Sequence, residues 1–276
     1  MCEGFRIRGC LTVCAVILAW SMNAESQSRV KASLISDTEI AAPGSTIRVG
    51  VLFTIPARAH IYWHNPGDAG LATGIEWDTD LAMGDLQWPA PMQFAIEGLN
   101  EAYFGYTKEV LLYSEVNIPE EASPNSRLTI RAKTYWLLCL DDGECIPDEQ
   151  QLEITIPIAP ESRLAYESTL FTRFAARIPR VATIPTFKIH WTESSFTVTL
   201  PDHFGSITQV ANRPIRFFPN EGGGWTPRDI NASSITFTPD YAGDKPGGGV
   251  LVLPTIETSS GIPTTYYLSI HGPKSP

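Results

Sequence analysis

The chain has 276 residues, a formal net charge of −10, 43% hydrophobic residues and 18% charged ones. That mixture is globular rather than disordered, and the length suits two domains of ordinary size. Acidic excess without clustered Lys and Arg speaks against nucleic acid as a partner and offers no basic patch to an anionic membrane surface.

Residues 1–24 read as a signal peptide. "MCEGFRIRG" carries Arg6 and Arg8, "CLTVCAVILAW" is apolar for 11 residues, and "SMNA" places the small Ala24 before "ESQS". A charged start, an apolar centre and a small-residue cleavage site define such leaders. Eleven residues are too few for a helix to cross about 30 Å of hydrocarbon. Cleavage after Ala24 removes Cys2, Cys10 and Cys14, leaving Cys139 and Cys145, and makes the chain more acidic by one charge. No later stretch offers 18 apolar residues, so no transmembrane segment is expected in the mature chain.

Short strands and turns follow from Arg29 to about Ile158. "TIRVGVLFTI" alternates, with Ile47, Val49, Val51 and Phe53 on one side, and "RLTIRAKTYWLL" does so through Leu128, Ile130, Ala132 and Thr134. Period-two alternation is the mark of a half-buried strand. "EVLLYSEVNIP" and "QLEITIPI" are further strands, and "HNPGDAG" is turn chemistry. Residues 29–158 are therefore predicted to form an antiparallel β-sandwich. In "ESRLAYESTLFTRFAARIP", Leu164, Leu170, Phe171, Phe174 and Ile178 fall near helical spacing before Pro179. This predicts one helix over about 162–177, inside a connector spanning 159–180. Strand character returns in "FKIHWTESSFTVTLP", "IRFFP", "SITFTPD", "GVLVLP" and "TYYLSIHG", so residues 185–273 are expected to form a second, smaller β domain.

Cys139 and Cys145 stand in "CLDDGECIPDE" with five residues between them. A cross-link closing so short a loop stabilises by about 2.4 kcal/mol, against about 4.7 for a loop of about 100 residues. That is a weak use of a disulfide for stability, and redox pairs often lie in such loops. Spacing alone leaves structural staple and redox pair both open. Metal binding is a third option: His60 and His64 in "HIYWH" could join the cysteines, but a closed zinc site usually needs four ligands at tighter spacing. Asp141, Asp142 and Glu144 should disfavour a nearby thiolate and slow indiscriminate exchange.

"HIYWHNPGDAGLAT", "WPAPMQF", "FGYTKEVLLY" and "YWLLCLDDGECIPDE" occur in that order over roughly residues 30–158. Together they resemble the N-terminal periplasmic domain of the DsbD/ScsB family of thiol:disulfide interchange proteins. "RFFPNEGGG" and "PGGGVLVLP" look like the second β domain of ScsB-type members, more loosely. The resemblance implies an immunoglobulin-like sandwich in the periplasm carrying one redox pair, Cys139 and Cys145. Cys145 would form the mixed disulfide with thioredoxin-like partners. Tyr103, Phe104 and Gly105 fall where the family has a cap loop whose aromatic ring shields the cysteines. Tyr and Phe are swapped relative to the best-known pattern. Tyr62 falls where the family keeps an aromatic residue beside the pair, with His60 on the same strand face.

The expectation is an all-β, stand-alone exported relay performing protein-disulfide-reductase-like exchange with no organic cofactor or metal. Family members continue into a membrane electron channel and a thioredoxin-like domain; this chain ends at Pro276, so a separate membrane electron donor is expected. The rival from another class is a non-enzymatic envelope binding or copper-tolerance module that keeps an inert disulfide.

Overall fold

The structure, a computed structural model, describes residues 29–94, 101–181, 187–200, 206–207, 214–231, 233–241, 247–256 and 263–272. The leader expected over residues 1–24, with Cys2, Cys10 and Cys14, lies outside them. Strands dominate, and among the described residues Ser168–Ala175 (α1) is the one α-helix.

The first region is a sandwich of two main sheets. One has the order β1-β3-β8, from Lys31–Ser36, Thr46–Thr54 and Glu109–Asn117. The other has the order β10-β9-β4-β7-β6, from Cys145–Pro157, Arg127–Leu140, Ala59–Gly67, Tyr103–Tyr106 and Met92–Phe94; β5 (Gly74–Asp78) also pairs with β9. β2 (Thr38–Ile40) stands apart and pairs with β11 (Arg163–Leu164). The predicted alternation is present. Ile47, Val49, Val51 and Phe53 are buried on β3, while Ile130, Ala132 and Thr134 are buried on β9 between exposed or half-buried neighbours. Val51 and Phe53 meet Ile61, Trp63, Phe104, Trp136 and Leu138 from the facing sheet in one core. Ile47, Val49, Val116, Ile130 and Ile156 fill the other end. The result is an immunoglobulin-like β-sandwich.

The connector departs from expectation. The helix spans eight residues rather than sixteen. Arg163 is held in strand β11 by a fork of two 2.9 Å hydrogen bonds to the Glu39 carboxylate, and Leu164 points outward at 69% exposure. The apolar period therefore begins only at Leu170. Phe171 and Phe174 are buried in the first region's core, Phe171 edge-on to Tyr113 at 5.5 Å. α1 thus completes the sandwich as well as leading out of it.

The second region is built on one nine-stranded sheet. β12 (Arg180–Val181) lies parallel beside β20 (Pro263–Ile270), followed by β19 (Gly249–Ile256), β16 (Arg216–Pro219), β17 (Trp225–Ile230), β18 (Ser234–Pro239), β14 (Phe196–Thr199) and β13 (Lys188–Trp191); β15 (Ser206–Ile207) pairs with β19. Phe196, Phe217, Trp225, Phe237, Leu251 and Leu268 form its own core. Neighbours along the strands point the other way: Phe218 and Val250 join the core of the sandwich. Consecutive strand residues face opposite sides, so one sheet serves two cores. Asn65, at the end of β4, reinforces the joint. Its side-chain amide donates to the carbonyls of Pro219 (2.8 Å) and Gly222 (3.1 Å), while its Oδ1 accepts from the Gly67 amide (3.1 Å). The turn expected at "HNPGDAG" accordingly starts later, because β4 continues to Gly67.

Candidate functional site: a cysteine pair at the mouth of a hairpin

β9 and β10 form a long antiparallel hairpin whose tight end is Asp141–Glu144. The Gly143 amide donates to the Leu140 carbonyl (2.9 Å), and the Leu140 amide donates to the Glu144 carbonyl (2.8 Å). Gly143 has φ +92°, the left-handed conformation that glycine adopts without a side-chain penalty. Such a turn fixes the hairpin register. It sets Cys139 directly opposite Cys145, with Cα atoms 4.1 Å apart, and the two are joined by a disulfide. That spacing matches the close, non-hydrogen-bonded pairs of antiparallel ladders.

The two sulfurs have different surroundings. Cys139 is 2% exposed, whereas Cys145 lies at the exposed start of β10. Cys139 packs in a small cluster with Tyr62 and Tyr103, flanked by Phe94 and Leu137. The Tyr62 hydroxyl donates to the Cys139 Sγ at 3.3 Å. Burial pushes the Tyr62 phenol upward from its ordinary pKa, which keeps it a donor.

His60 lies one residue pair away: it is the cross-strand partner of Cys139, and its ring meets Tyr62 edge-on at 5.1 Å and stacks on Phe94 at 4.8 Å. Its Nε2 is buried and makes no hydrogen bond to the described residues. Burial lowers its pKa, with Asp141 pulling the other way. His64 is elsewhere, against Trp63 and Trp88, and burial holds its pKa at about 4. Among the described residues no group of three or more His, Cys, Asp or Glu is placed to hold a metal ion.

Tyr103, Phe104 and Gly105 correct the expectation of a loop at this place. They lie in strand β7, between β4 and β6, and all three are buried. Strand alternation then separates the two rings. Tyr103 faces the cysteine cluster, 6.4 Å from the Tyr62 ring, while Phe104 turns into the core against Phe218 at 5.4 Å. Gly105 does not bend a loop. It pairs with Tyr62, and a Cβ there would run into the Ile61 carbonyl, so the residue permits close strand approach.

Two supporting residues escaped the sequence reading. Glu101 accepts a hydrogen bond from the Tyr103 hydroxyl, which, with burial, pushes that phenol up to about 12. Phe94 covers His60 from β6; it ends the quoted "WPAPMQF", but nothing local signals the stacking.

With this geometry in view, comparison with known proteins is specific for the first region. The family described as "Thiol:disulfide interchange protein DsbD, N-terminal" matches residues 31–157. The crystal structure of the N-terminal periplasmic domain of ScsB from Proteus mirabilis is similar in fold over both regions. Its TM-score is 0.56 and its identity 18%, over 88% of this chain and 93% of that one. The Bacillus cereus major pilin subunit BcpA, at 10% identity, covers 88% of this chain and 66% of that one with a TM-score of 0.27. No curated protein matches the sequence. Residues 31–157 of this chain are an N-terminal domain of the DsbD thiol:disulfide interchange family.

Proposed function

We propose that the protein is an exported, periplasmic thiol–disulfide relay in which Cys139 and Cys145 exchange two electrons with thioredoxin-like partners. The observation that carries this reading is the unequal exposure of one disulfide, with Cys145 open and Cys139 enclosed by Tyr62 and Tyr103. A partner thiolate attacks the Cys145 Sγ, forming a new S–S bond while the electron pair of the old one leaves on Cys139. The Tyr62 hydroxyl donates to that departing sulfur, a stabilisation of the kind that charge-assisted hydrogen bonds give. The partner's second thiolate then attacks its own sulfur in the mixed disulfide and releases Cys145. One partner dithiol becomes a disulfide, and the Cys139–Cys145 disulfide becomes a dithiol that takes up two protons. The reverse sequence reduces a partner. Sulfur alone carries the electrons.

Tyr103 serves in this reading as the shield on the buried sulfur. Asp141, Asp142 and Glu144 disfavour the thiolate and so favour reaction in a docked complex over free exchange. The apolar leader supports export, and the matched ScsB domain is a periplasmic one.

Trapping tests the assignment of roles. Cys139→Ser leaves Cys145 able to form a mixed disulfide that cannot be resolved from within the pair, so it should accumulate a covalent adduct with a thioredoxin-like protein whose own second cysteine is replaced by Ser. Cys145→Ser should accumulate far less. Equal trapping by both variants would overturn the assignment. Adducts with neither variant would favour an inert staple.

A further inference from the structure

A second site lies away from the disulfide. Where the two β regions meet there is a cleft of about 400 Å³, within the range of small-molecule sites. Met92 lines it from the edge strand β6, Arg177 from just past α1, and Arg216, Phe218, Val252 and Tyr267 from the second sheet. The cleft therefore exists only because the regions pack together.

Its charge is distinctive for being half-buried. Arg48, Arg58, Arg131, Lys133, Arg163 and Arg173 each form an ion pair with a carboxylate, and the described cations outside the cleft that form none, such as Lys108, Lys188 and Arg228, are exposed. Arg177 and Arg216 form none among the described residues. Arg177 donates to the Ala90 carbonyl (2.7 Å), and Arg216 reaches the carbonyl of its neighbour Ile215 (3.3 Å). Each bond uses one of the five N–H groups a guanidinium carries. Both side chains are half-buried. Burial lowers the pKa of Arg216, Asp240 opposing it from a distance, yet a guanidinium stays charged at neutral pH. Two cations thus share a half-open cleft with aromatic and aliphatic walls. A planar fork suits a carboxylate, and the walls suit an apolar body.

We propose that this cleft binds a small organic anion with a carboxylate head and an apolar or aromatic body, held by Arg177 and Arg216 over Phe218, Val252 and Tyr267. The proposal is independent of the thiol chemistry.

N-acetylphenylalanine is a suitable probe, titrated into the intact protein and followed by NMR shifts. Its uncharged amide and inorganic phosphate serve as the two controls. The acid should bind saturably, while the amide and phosphate each bind at least tenfold more weakly. Arg216→Gln and, separately, Arg177→Gln should weaken the acid at least tenfold, whereas Arg228→Gln, outside the cleft, should leave it unchanged. The amide comparison needs no variant, so misfolding of a mutant cannot mask the outcome. No saturable shift, equal binding of acid and amide, phosphate as tight as the acid, or unchanged affinity in folded Arg216→Gln would each overturn the proposal.

Discussion

The two β regions solve their packing differently. The second fills its core with Phe196, Phe217, Trp225 and Phe237, stacked and edge-on, around aliphatic residues. The first also has an apolar core, but it buries His60, Asn65, Ser114 and Thr134 with it. Among the described residues, the buried side-chain atoms without a hydrogen-bond partner, on His60, Trp63, Thr73, Ser114 and Trp136, all belong to the first region. Unpaired buried polar groups cost stability. Tolerated breaches of local rules tend to gather where a protein does its chemistry; here His60 and Trp63 stand on β4, the strand that faces Cys139, and Trp136 on the cysteine's own strand β9, while Ser114 lies in the other sheet. The contrast separates a region that buries polar groups alongside its disulfide from one whose described core is apolar.

That contrast would break if the first region did not need the second. A fragment of residues 29–158 lacks Phe171, Phe174 and Phe218, all buried in the sandwich core. At roughly 1.5–3 kcal/mol for each buried side chain, the loss is on the order of 5 kcal/mol or more. Such a fragment should show no cooperative urea transition, while one extended to residue 181 should regain part of it through α1. A sharp transition in the shorter fragment would show that the sandwich is self-sufficient.

Single rings sharpen the comparison within β7. Phe104→Ala should cost about 3–5 kcal/mol, because the ring is fully buried against Phe218, with little change in how fast dithiothreitol reduces the disulfide. Tyr103→Ala should cost less stability and speed that reduction several-fold. Urea midpoints and thiol-release kinetics on the two variants check this. Interchanged effects would move the shield to Phe104.

A smaller effect comes from acid. His64 is held neutral with a pKa of about 4, below its ordinary 6.5. Between those values the unfolded chain binds a proton that the folded chain refuses, so stability is full above about pH 6.5 and declines as pH falls toward 4. The imidazole's share is at most about 3 kcal/mol. His64→Phe should lose less stability between pH 7 and 4.5 than the parent does. Parallel pH profiles for the two proteins would remove His64 as a cause.

Much of this was legible in the chain. Alternation at 46–54 and 127–140 reports which face is buried because a strand has period two. The cysteine pair stood out as the only thiols after residue 24. The place of Tyr103 and Phe104 differs from the resemblance, which implies a cap loop, because Gly105 here allows two strands to approach. Once they are in a strand, alternation alone decides which ring meets the sulfur. Phe94 over His60 depends on the pairing of β6, β7 and β4, and no local pattern encodes that register. The shared core had a signal that passed unread. "RFF" and "GVLVL" are continuous rather than alternating apolar runs, as a sheet covered on both faces requires.

The ladder beneath the disulfide has a consequence of its own. Pairing runs unbroken from Cys145–Cys139 to Pro157–Arg127, so opening the S–S bond does not release the strands that carry the sulfurs. Two reduced thiols remain presented to each other at a high effective molarity, as groups fixed on one rigid frame are. Closing the ring again needs no search of conformational space. The hairpin is a clasp already aligned, with the same backbone before and after the bond opens.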